Sequence, residues 1–262
     1  MQQGKRAALE ADIPNSREEA IAQAVEALAA QLATAPSSKK AKGFGGAGAK
    51  RLAVEMPLAD TGPRATAQLA ADLLARLPAE LAGSFTLVFA DVDAALGASD
   101  LVPNAVLPLD ACEGDAAAGA LLIIGAQAEQ AGALEALLGR WRGRSAVLLN
   151  PGWGGTGGLP GQHAVLAASF DVVYCFEPIA VRAFLTTTEG VVLRRVARGG
   201  AAGAPWLVFK RAGWDGTHKL IGRLPRRPNA QDLELVFYNN SAAESPITQG
   251  IKAFRGLTSK DK

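Results

Sequence analysis

The sequence predicts an α/β fold: a three-layer, Rossmann-like core with a mostly parallel sheet and a C-terminal antiparallel hairpin. The strand-like segments are continuous apolar runs, such as GALLIIGA at 119–126, which is typical of strands buried on both faces. Amphipathic helical segments alternate with these runs at the spacing of crossover units. Two strand-like segments around a Gly/Ala loop near the C-terminus predict the hairpin.

The composition limits the function classes. The chain has 262 residues and is 49% hydrophobic, so it can bury the core of one large domain. A net charge of +2 gives no basic footprint for nucleic acid. The cysteines, Cys112 and Cys175, have no C-x-x-C spacing, which favours buried thiols over a disulfide framework or a structural zinc site.

The sequence carries neither a membrane-spanning nor a secretory signal pattern. The sequence has no run of about 18 apolar residues, so no transmembrane helix is expected. Its N-terminus lacks the apolar region of a signal peptide. The sequence leaves open whether Met1 is native or follows the removal of a transit peptide.

The first helix is predicted to follow Pro14. Ser16 and Glu19 match a capping box, and Glu18 and Glu19 suit the positive end of the helix dipole. Apolar residues recur at helical spacing at Ile21, Ala24, Val25, Leu28 and Leu32, so this face should dock on a sheet. Residues 35–50, rich in Gly, Ser and Lys, are predicted to form a flexible loop.

The segments that follow alternate between strands and helices. A strand over 51–60 is predicted to break at Pro57, and a helix over 63–78 begins with Pro63 in its first turn. Further predicted strands cover 84–91, 119–126 and 145–150, with a helix over 129–141 before the last of them.

The second half of the chain changes character. A strand is predicted over 170–181, then the hairpin of 190–197 with 205–211, then a short helix that starts at Pro228–Asn229. We therefore predict an N-terminal extension at 1–10, a single domain over 11–240 and a C-terminal tail at 241–262.

A glycine-rich stretch, LLNPGWGGTGGLPGQH at 148–163, raises the question of a phosphate-binding loop. Gly152 to Gly157 satisfies G-x-G-x-x-G, yet Pro160 and Gly161 do not favour the helix start that a dinucleotide loop needs, and no Walker A triplet occurs. A connecting loop is the favoured interpretation. A tryptophan exposed on such a loop is expected to contact a partner or ligand, so the binding candidates here are Asn150, Gly152, Trp153 and Gly154.

Candidates for catalysis are sparse. His163 and Cys175 form a conceivable pair, but unconnected residues are the favoured interpretation because nothing in the sequence brings them together. Asp91 and Asp93 follow an apolar strand, where either a ligand site or helix capping explains them. We predict no catalytic residue, no metal site and no cofactor, and we leave the enzyme question open with binding favoured.

Arginines cluster in the predicted hairpin. Arg194, Arg195 and Arg198 lie in one strand, and Lys210 and Arg211 lie in its partner. Further downstream, Arg223, Arg226 and Arg227 add to this charge. A basic edge usually protects a sheet against aggregation. A docking face for an acidic protein or for lipid headgroups is the functional alternative, so peripheral membrane contact stays open.

A set of motif positions recurs in a fixed order along the chain: Pro14, Ser16, Glu18, Glu19, Arg51, Val54, Glu55, Asn150, Pro151, Tyr174, Phe176, Pro178 and Trp206. Together they resemble the DUF1995 family of plastid and cyanobacterial-lineage proteins. The resemblance covers residues 11–240 and departs from the family at the 35–50 insertion and the glycine loop.

The resemblance implies a chloroplast protein and supplies no catalytic residues. Family members include an auxiliary factor in photosystem II assembly and a domain fused to a chloroplast adenylate kinase. We therefore expect a non-enzymatic binding or auxiliary protein in the stroma or on the stromal face of the thylakoid, with a protein partner in a photosystem or its assembly intermediate. The alternative is a nucleotide- or phosphometabolite-binding enzyme that uses the loop after Asn150.

Overall fold

The fold is built on one mixed sheet. The structure is a computed structural model that describes residues 13–34, 49–112, 119–153, 159, 161–183, 186–196, 204–213 and 216–244. Within these ranges the strands are β1 (Lys50–Glu55), β2 (Phe85–Phe89), β3 (Val106–Pro108), β4 (Ala120–Ile124), β5 (Ser145–Leu149), β6 (Asp171–Ala183), β7 (Thr186–Arg195), β8 (Trp206–Arg211) and β9 (His218–Leu224).

Helices cover the sheet on both faces. Those of the described residues are α1 (Arg17–Leu32), α2 (Pro63–Arg76), α3 (Ala79–Ala82), α4 (Val92–Ser99), α5 (Ala131–Arg140), α6 (Ala164–Ala168) and α7 (Ala230–Glu244). The predicted cap of α1 is present, because the Ser16 hydroxyl accepts a hydrogen bond from the Glu19 N–H at 3.1 Å.

The strand order is β3-β2-β4-β5-β1-β6-β7-β8-β9. Pairing is parallel from β3 to β6 and antiparallel from β6 to β9. Leu52 of β1 pairs with Val147 of β5, and the register of β1 on β6 shifts between Ala53 and Val54. Strand β1 thus lies in the middle of the sheet, with a parallel neighbour on each side, β5 and β6.

Alternation along the strands assigns the helices to two layers. Leu52 and Val54 of β1 belong to the apolar cluster that α1, α2 and α4 share. Ala53, between them, faces the cluster that contains α5 and α6. Cys175 of β6 points to that second face as well, and it packs in the cluster of α7. The three-layer α/β architecture is confirmed.

Shorter elements escaped the sequence patterns. Helix α4 and strand β3 lie between β2 and β4 in the chain, although β3 is at the edge of the sheet. Strand β9 extends the predicted hairpin to a third strand. Strand β3, which pairs with β2, has three residues and is too short to show an alternation pattern. Strand β9 mixes polar and apolar residues at the edge of the sheet, so its side chains are exposed or half-buried.

Candidate functional site

A cavity of about 590 Å³ opens at the carboxyl ends of β1, β4 and β5. The chain leaves β1 toward α2 on one face of the sheet, whereas it leaves β4 and β5 toward α5 and α6 on the other face. These connections diverge between β1 and β5. Doubly wound sheets carry their ligand sites at such a divergence, called the topological switch point.

The fourth wall of this switch-point crevice comes from β6, which runs past the end of β1. Glu55, the last residue of β1, pairs with Cys175, so the next residues of β6 project beyond β1 and line the cavity. Apolar lining comes from Met56, Leu58 and Phe176. The polar side chains of the lining are Glu55, Thr61, Thr66, Gln127, Asn150 and Glu177.

Asn150 ties two of these walls together. Its backbone adopts a φ of 48°, a left-handed conformation that asparagine tolerates better than most residues. Its Nδ2 donates a hydrogen bond to the Met56 carbonyl at 2.9 Å, and its Oδ1 accepts one from the Met56 N–H at 2.8 Å. The side chain therefore extends the hydrogen bonding between β1 and β5 by one residue. Asn150 shapes the crevice by holding the backbone of Met56 in place.

Gly152 packs closely against the end of the Gln127 side chain. Its N–H donates to the Ala126 carbonyl at 2.7 Å, which brings the turn after β5 against the turn after β4. A Cβ at this position would lie 1.9 Å from Gln127 Oε1. Any larger residue at position 152 must displace the Gln127 side chain, which is itself part of the crevice wall.

The expectation that Trp153 is exposed is wrong. Its exposed fraction is 8%, and it belongs to the apolar cluster of Ala126, Leu159 and Leu166 on the face of α5 and α6. The indole therefore packs among apolar neighbours on that face of the sheet. Gly154, the fourth candidate of this loop, lies outside the described residues.

Buried charges flank the crevice beside β6. Arg227, from the connection between β9 and α7, donates to both oxygens of Glu55, from Nη1 at 2.9 Å and from Nη2 at 2.5 Å. The same Nη2 lies 3.4 Å from Oε2 of Glu177. Burial opposes the charge of Arg227, but the hydrogen bonds and charge of Glu55 outweigh it and raise its pKa. One guanidinium therefore serves two carboxylates and binds one of them tightly.

The second carboxylate is poorly compensated. Burial and the nearby charge of Glu55 raise the pKa of Glu177, and Arg227 only partly offsets them. Burial also raises the pKa of the Cys175 thiol, whose Sγ lies 3.8 Å from Oε2 of Glu55. Cys175 is therefore a protonated thiol that is almost completely buried.

The predicted basic edge does not form as expected. Strand β7 lies between β6 and β8, so it is not an edge, and successive residues point to opposite faces. Arg195 pairs with Glu26 of α1, whereas Arg194 lies over the Trp206 ring at 5.1 Å on the face of α7. Burial lowers the pKa of Arg194. Arg198 lies outside the described residues.

Other sequence candidates lie apart from the crevice or serve the fold. Nδ1 of His163 lies 3.2 Å from a carboxylate oxygen of Glu135, whereas Cys175 faces Glu55, so the two do not form a pair. Asp91 accepts a hydrogen bond from the Ala94 N–H at 2.7 Å and caps α4. Of the two explanations for Asp91, the structure supports helix capping.

Neither metal clusters nor bilayer-spanning helices occur in the described part of the chain. No group of three or more His, Cys, Asp or Glu side chains is placed there so as to hold a metal ion. Each helix within the described ranges is too short or too polar to cross a bilayer.

The sequence patterns did not identify the group of charged residues at the crevice, Glu55, Glu177 and Arg227. Glu177 was not singled out, Glu55 entered only as part of a family motif, and Arg227 was assigned to a surface face. A signal was present: Glu55 directly follows the apolar residues of β1, Glu177 interrupts the apolar run of β6, and a buried acid requires a partner. Nothing in the sequence, however, identifies a partner 172 residues away from Glu55.

The fold and the crevice define a doubly wound α/β domain with a cavity at its switch point. A family model described as a domain of unknown function, DUF1995, matches residues 14–235. The chain therefore belongs to the DUF1995 family, as its motifs predict. No curated protein matches the chain.

Proposed function

We propose that this chain is a binding protein whose switch-point crevice holds a small polar organic molecule. The observation that carries the proposal is the cavity of about 590 Å³ at the point where the connections after β1 and β5 diverge. Its volume falls within the range of small-molecule sites, and polar groups converge on a partly apolar lining.

Binding is favoured over chemistry by the state of the reactive groups. The Cys175 thiol is held protonated by burial, and both oxygens of Glu55 accept hydrogen bonds from Arg227. The amide of Asn150 is engaged with the backbone of Met56. These groups hold the walls in place, which leaves Thr61, Thr66 and Glu177 as polar groups to meet a ligand. Gln127 also lines the crevice, and its Nε2 donates to the Gly125 carbonyl at 2.9 Å.

A phosphate-bearing ligand fits this lining less well. Two carboxylates contribute to the crevice, and none of its described lining residues is a lysine or arginine. The nearest guanidinium, that of Arg227, is committed to Glu55. The nucleotide or phosphometabolite alternative is therefore kept as an outcome of the binding experiment.

The experiment is a ligand screen by thermal shift and NMR on the wild-type chain and on Gly152→Ala. The added Cβ displaces Gln127, so we expect affinity for a crevice ligand to fall about tenfold, or about 1.4 kcal/mol. Gly132→Ala is the matched control, because a Cβ on that helical glycine meets no atom within 4 Å. A screen without binders, or binders that Gly152→Ala leaves unaffected, would refute the crevice as a site.

We further propose that the protein acts in the chloroplast stroma or at the stromal face of the thylakoid as an auxiliary protein for a photosynthetic complex. The family resemblance supports this role. An exposed apolar surface on and after α4 also supports it: Val92 and Leu96 lie one turn apart on the helix, and Leu101 follows. We call these three residues the α4 surface.

A pull-down from stromal and solubilised thylakoid fractions tests this second proposal. Leu96→Ser should remove a bound photosystem protein, because Leu96 is 67% exposed and removing it leaves the core intact. Leu235→Ser is the matched control, since Leu235 is 59% exposed on α7, on the opposite face of the sheet. If the wild type, Leu96→Ser and Leu235→Ser all recover the same proteins, the α4 surface is not the docking site. If the wild type recovers no photosystem protein, the proposed auxiliary role is wrong.

A further inference from the structure

The charges around the crevice are unbalanced, and this imbalance specifies a ligand class. Glu55 and Glu177 both line the cavity, and Arg227 reaches both of them. The guanidinium forms a two-point contact with Glu55, with its Nη atoms 2.9 and 2.5 Å from the two oxygens. Its contact with Glu177 is a single one of 3.4 Å. Glu55 is therefore the structural acid, and Glu177 lacks a close cation of its own.

Glu177 is also positioned to meet a ligand. It lies on the part of β6 that extends beyond the end of β1, and it is partly buried, with 27% of its side chain exposed. Its contact with Arg227 uses Oε2, and among the described residues Oε1 has no hydrogen-bond partner. A half-buried carboxylate with one oxygen open to the crevice gains most from a donor that carries a positive charge.

The opposite side of the crevice is apolar. Met56 and Leu58, from the segment after β1, and Phe176, from β6, supply hydrocarbon and one aromatic ring. Gln127 contributes an amide from the turn after β4. Such a lining suits a molecule with a charged nitrogen at one end and a compact apolar body.

We infer that the switch-point crevice selects a small amphipathic amine, whose protonated nitrogen binds the Glu177 carboxylate and whose hydrocarbon packs on Met56 and Phe176. This inference rests on the proposed binding function and names its ligand class. Burial and the neighbouring Glu55 raise the pKa of Glu177, which is the direction expected for an acid without a tightly bound cation.

Matched probe triplets test the inference. Each triplet contains a primary amine, its N-acetyl derivative and the carboxylate of the same skeleton, beginning with tyramine, N-acetyltyramine and 3-(4-hydroxyphenyl)propionate. Dissociation constants are measured by NMR titration on the full chain. We expect the amines to bind at least about tenfold more tightly than their neutral counterparts, with amide shifts at Gly125 and Gly152, which line the crevice.

Glu177→Gln distinguishes charge recognition from shape. The glutamine keeps the size of the side chain, so the amine preference should fall to about one while the neutral probes keep their affinity. Glu189→Gln is the matched control, because Glu189 is an exposed acid of β7 that pairs with Arg211 away from the crevice. This variant should retain the preference. The amide spectrum and melting temperature of each variant establish that it is folded.

The outcomes separate the two claims. Equal binding of amine and neutral probes, unchanged in Glu177→Gln, would overturn the amine inference and leave the crevice as a binding site. Tighter binding of the carboxylates would also overturn it and would favour anionic ligands. Binding of no probe from any class would count against both the inference and the proposed function.

Discussion

The parallel and antiparallel halves of the sheet are stabilised by different interactions. In the parallel half, every residue of β4 and β5 is buried, and the side chains that face the helices on both sides are almost all apolar. In the antiparallel half, the guanidinium carbons of Arg194 and Arg227 each lie 5.1 Å from the centre of the Trp206 ring, beneath α7. The crevice lies where the two halves meet.

This difference shows how each half specifies its packing. Apolar burial is non-directional, so the parallel half depends on volume and tolerates changes that conserve it. Buried charges require partners at defined positions, so the antiparallel half depends on particular pairs such as Glu55 with Arg227. Substitutions in each half, and at the border between them, test this contrast.

Leu122→Ala should produce the largest loss of stability. Leu122 of β4 is 0% exposed, and removing its methyl groups leaves a cavity between the sheet and its helices. We expect a loss of about 3–5 kcal/mol in the free energy of unfolding, measured with urea. Leu96→Ala, at an exposed position of α4, is the control and should change stability by less than about 0.5 kcal/mol.

Arg227→Ala should be the next most damaging change, because it leaves the Glu55 carboxylate without its cation. We expect a loss of about 2–3 kcal/mol, below the range for fully buried pairs, since 26% of the Arg227 side chain is exposed. Arg226→Ala is the neighbouring control, because Arg226 is 71% exposed and pairs with Asp232 at the surface.

A double variant sharpens this second test. Replacing both Arg227 and Glu55 by methionine removes the charges together, so stability should recover most of the loss seen in Arg227→Ala. If the double variant is no more stable than Arg227→Met alone, then the unpaired charge of Glu55 is not the source of the loss.

Asn150→Ala tests the border between the halves. It removes two hydrogen bonds to Met56, and alanine adopts a φ of 48° less readily than asparagine. We expect a loss of about 2 kcal/mol by urea unfolding. Asn150→Asp keeps the acceptor and loses the donor, so an intermediate loss is expected. Equal stability of the wild type and the two variants would show that the hydrogen bonds between Asn150 and Met56 contribute nothing.

Glu177→Gln should have the smallest effect, and one that depends on pH. Because burial raises the pKa of Glu177 in the folded state, the folded protein holds this proton more tightly than the unfolded chain does. The wild-type protein therefore loses stability as the pH rises from the pKa of Glu177 in the unfolded chain through its pKa in the folded protein. Glutamine does not titrate, so the variant should gain melting temperature relative to the wild type at pH 8 and not at pH 4. A difference that is the same at both pH values would contradict this account.

Most of the parallel half could be predicted from local patterns. The capping box of α1, the Pro63 start of α2 and the apolar runs of β2, β4 and β5 were all identified, because each depends on residues close together in the chain. Strand β3 and strand β9 escaped because their pairing with a neighbour, and not their own sequence, defines them.

The crevice could be predicted only in part. Asn150 and Gly152 were identified as candidates, and both lie at the crevice, although each acts through the backbone or through packing. Trp153 was expected in solvent because a glycine-rich segment surrounds it, yet it packs into the apolar cluster of α5 and α6. Arg194 and Arg195 were placed together, whereas the alternation of an internal strand separates them.

Local patterns in the sequence are enough to specify the α/β class, the family and most of the long elements, because hydrophobic period and capping act over a few residues. Which charges meet is defined only in the folded chain. Arg227 reaches Glu55 across 172 residues of chain, and Glu177 is left facing the crevice because that arginine is already bound. Pairing of buried charges depends on distances of a few ångströms in space, and these distances exist only after the strands have been brought into order.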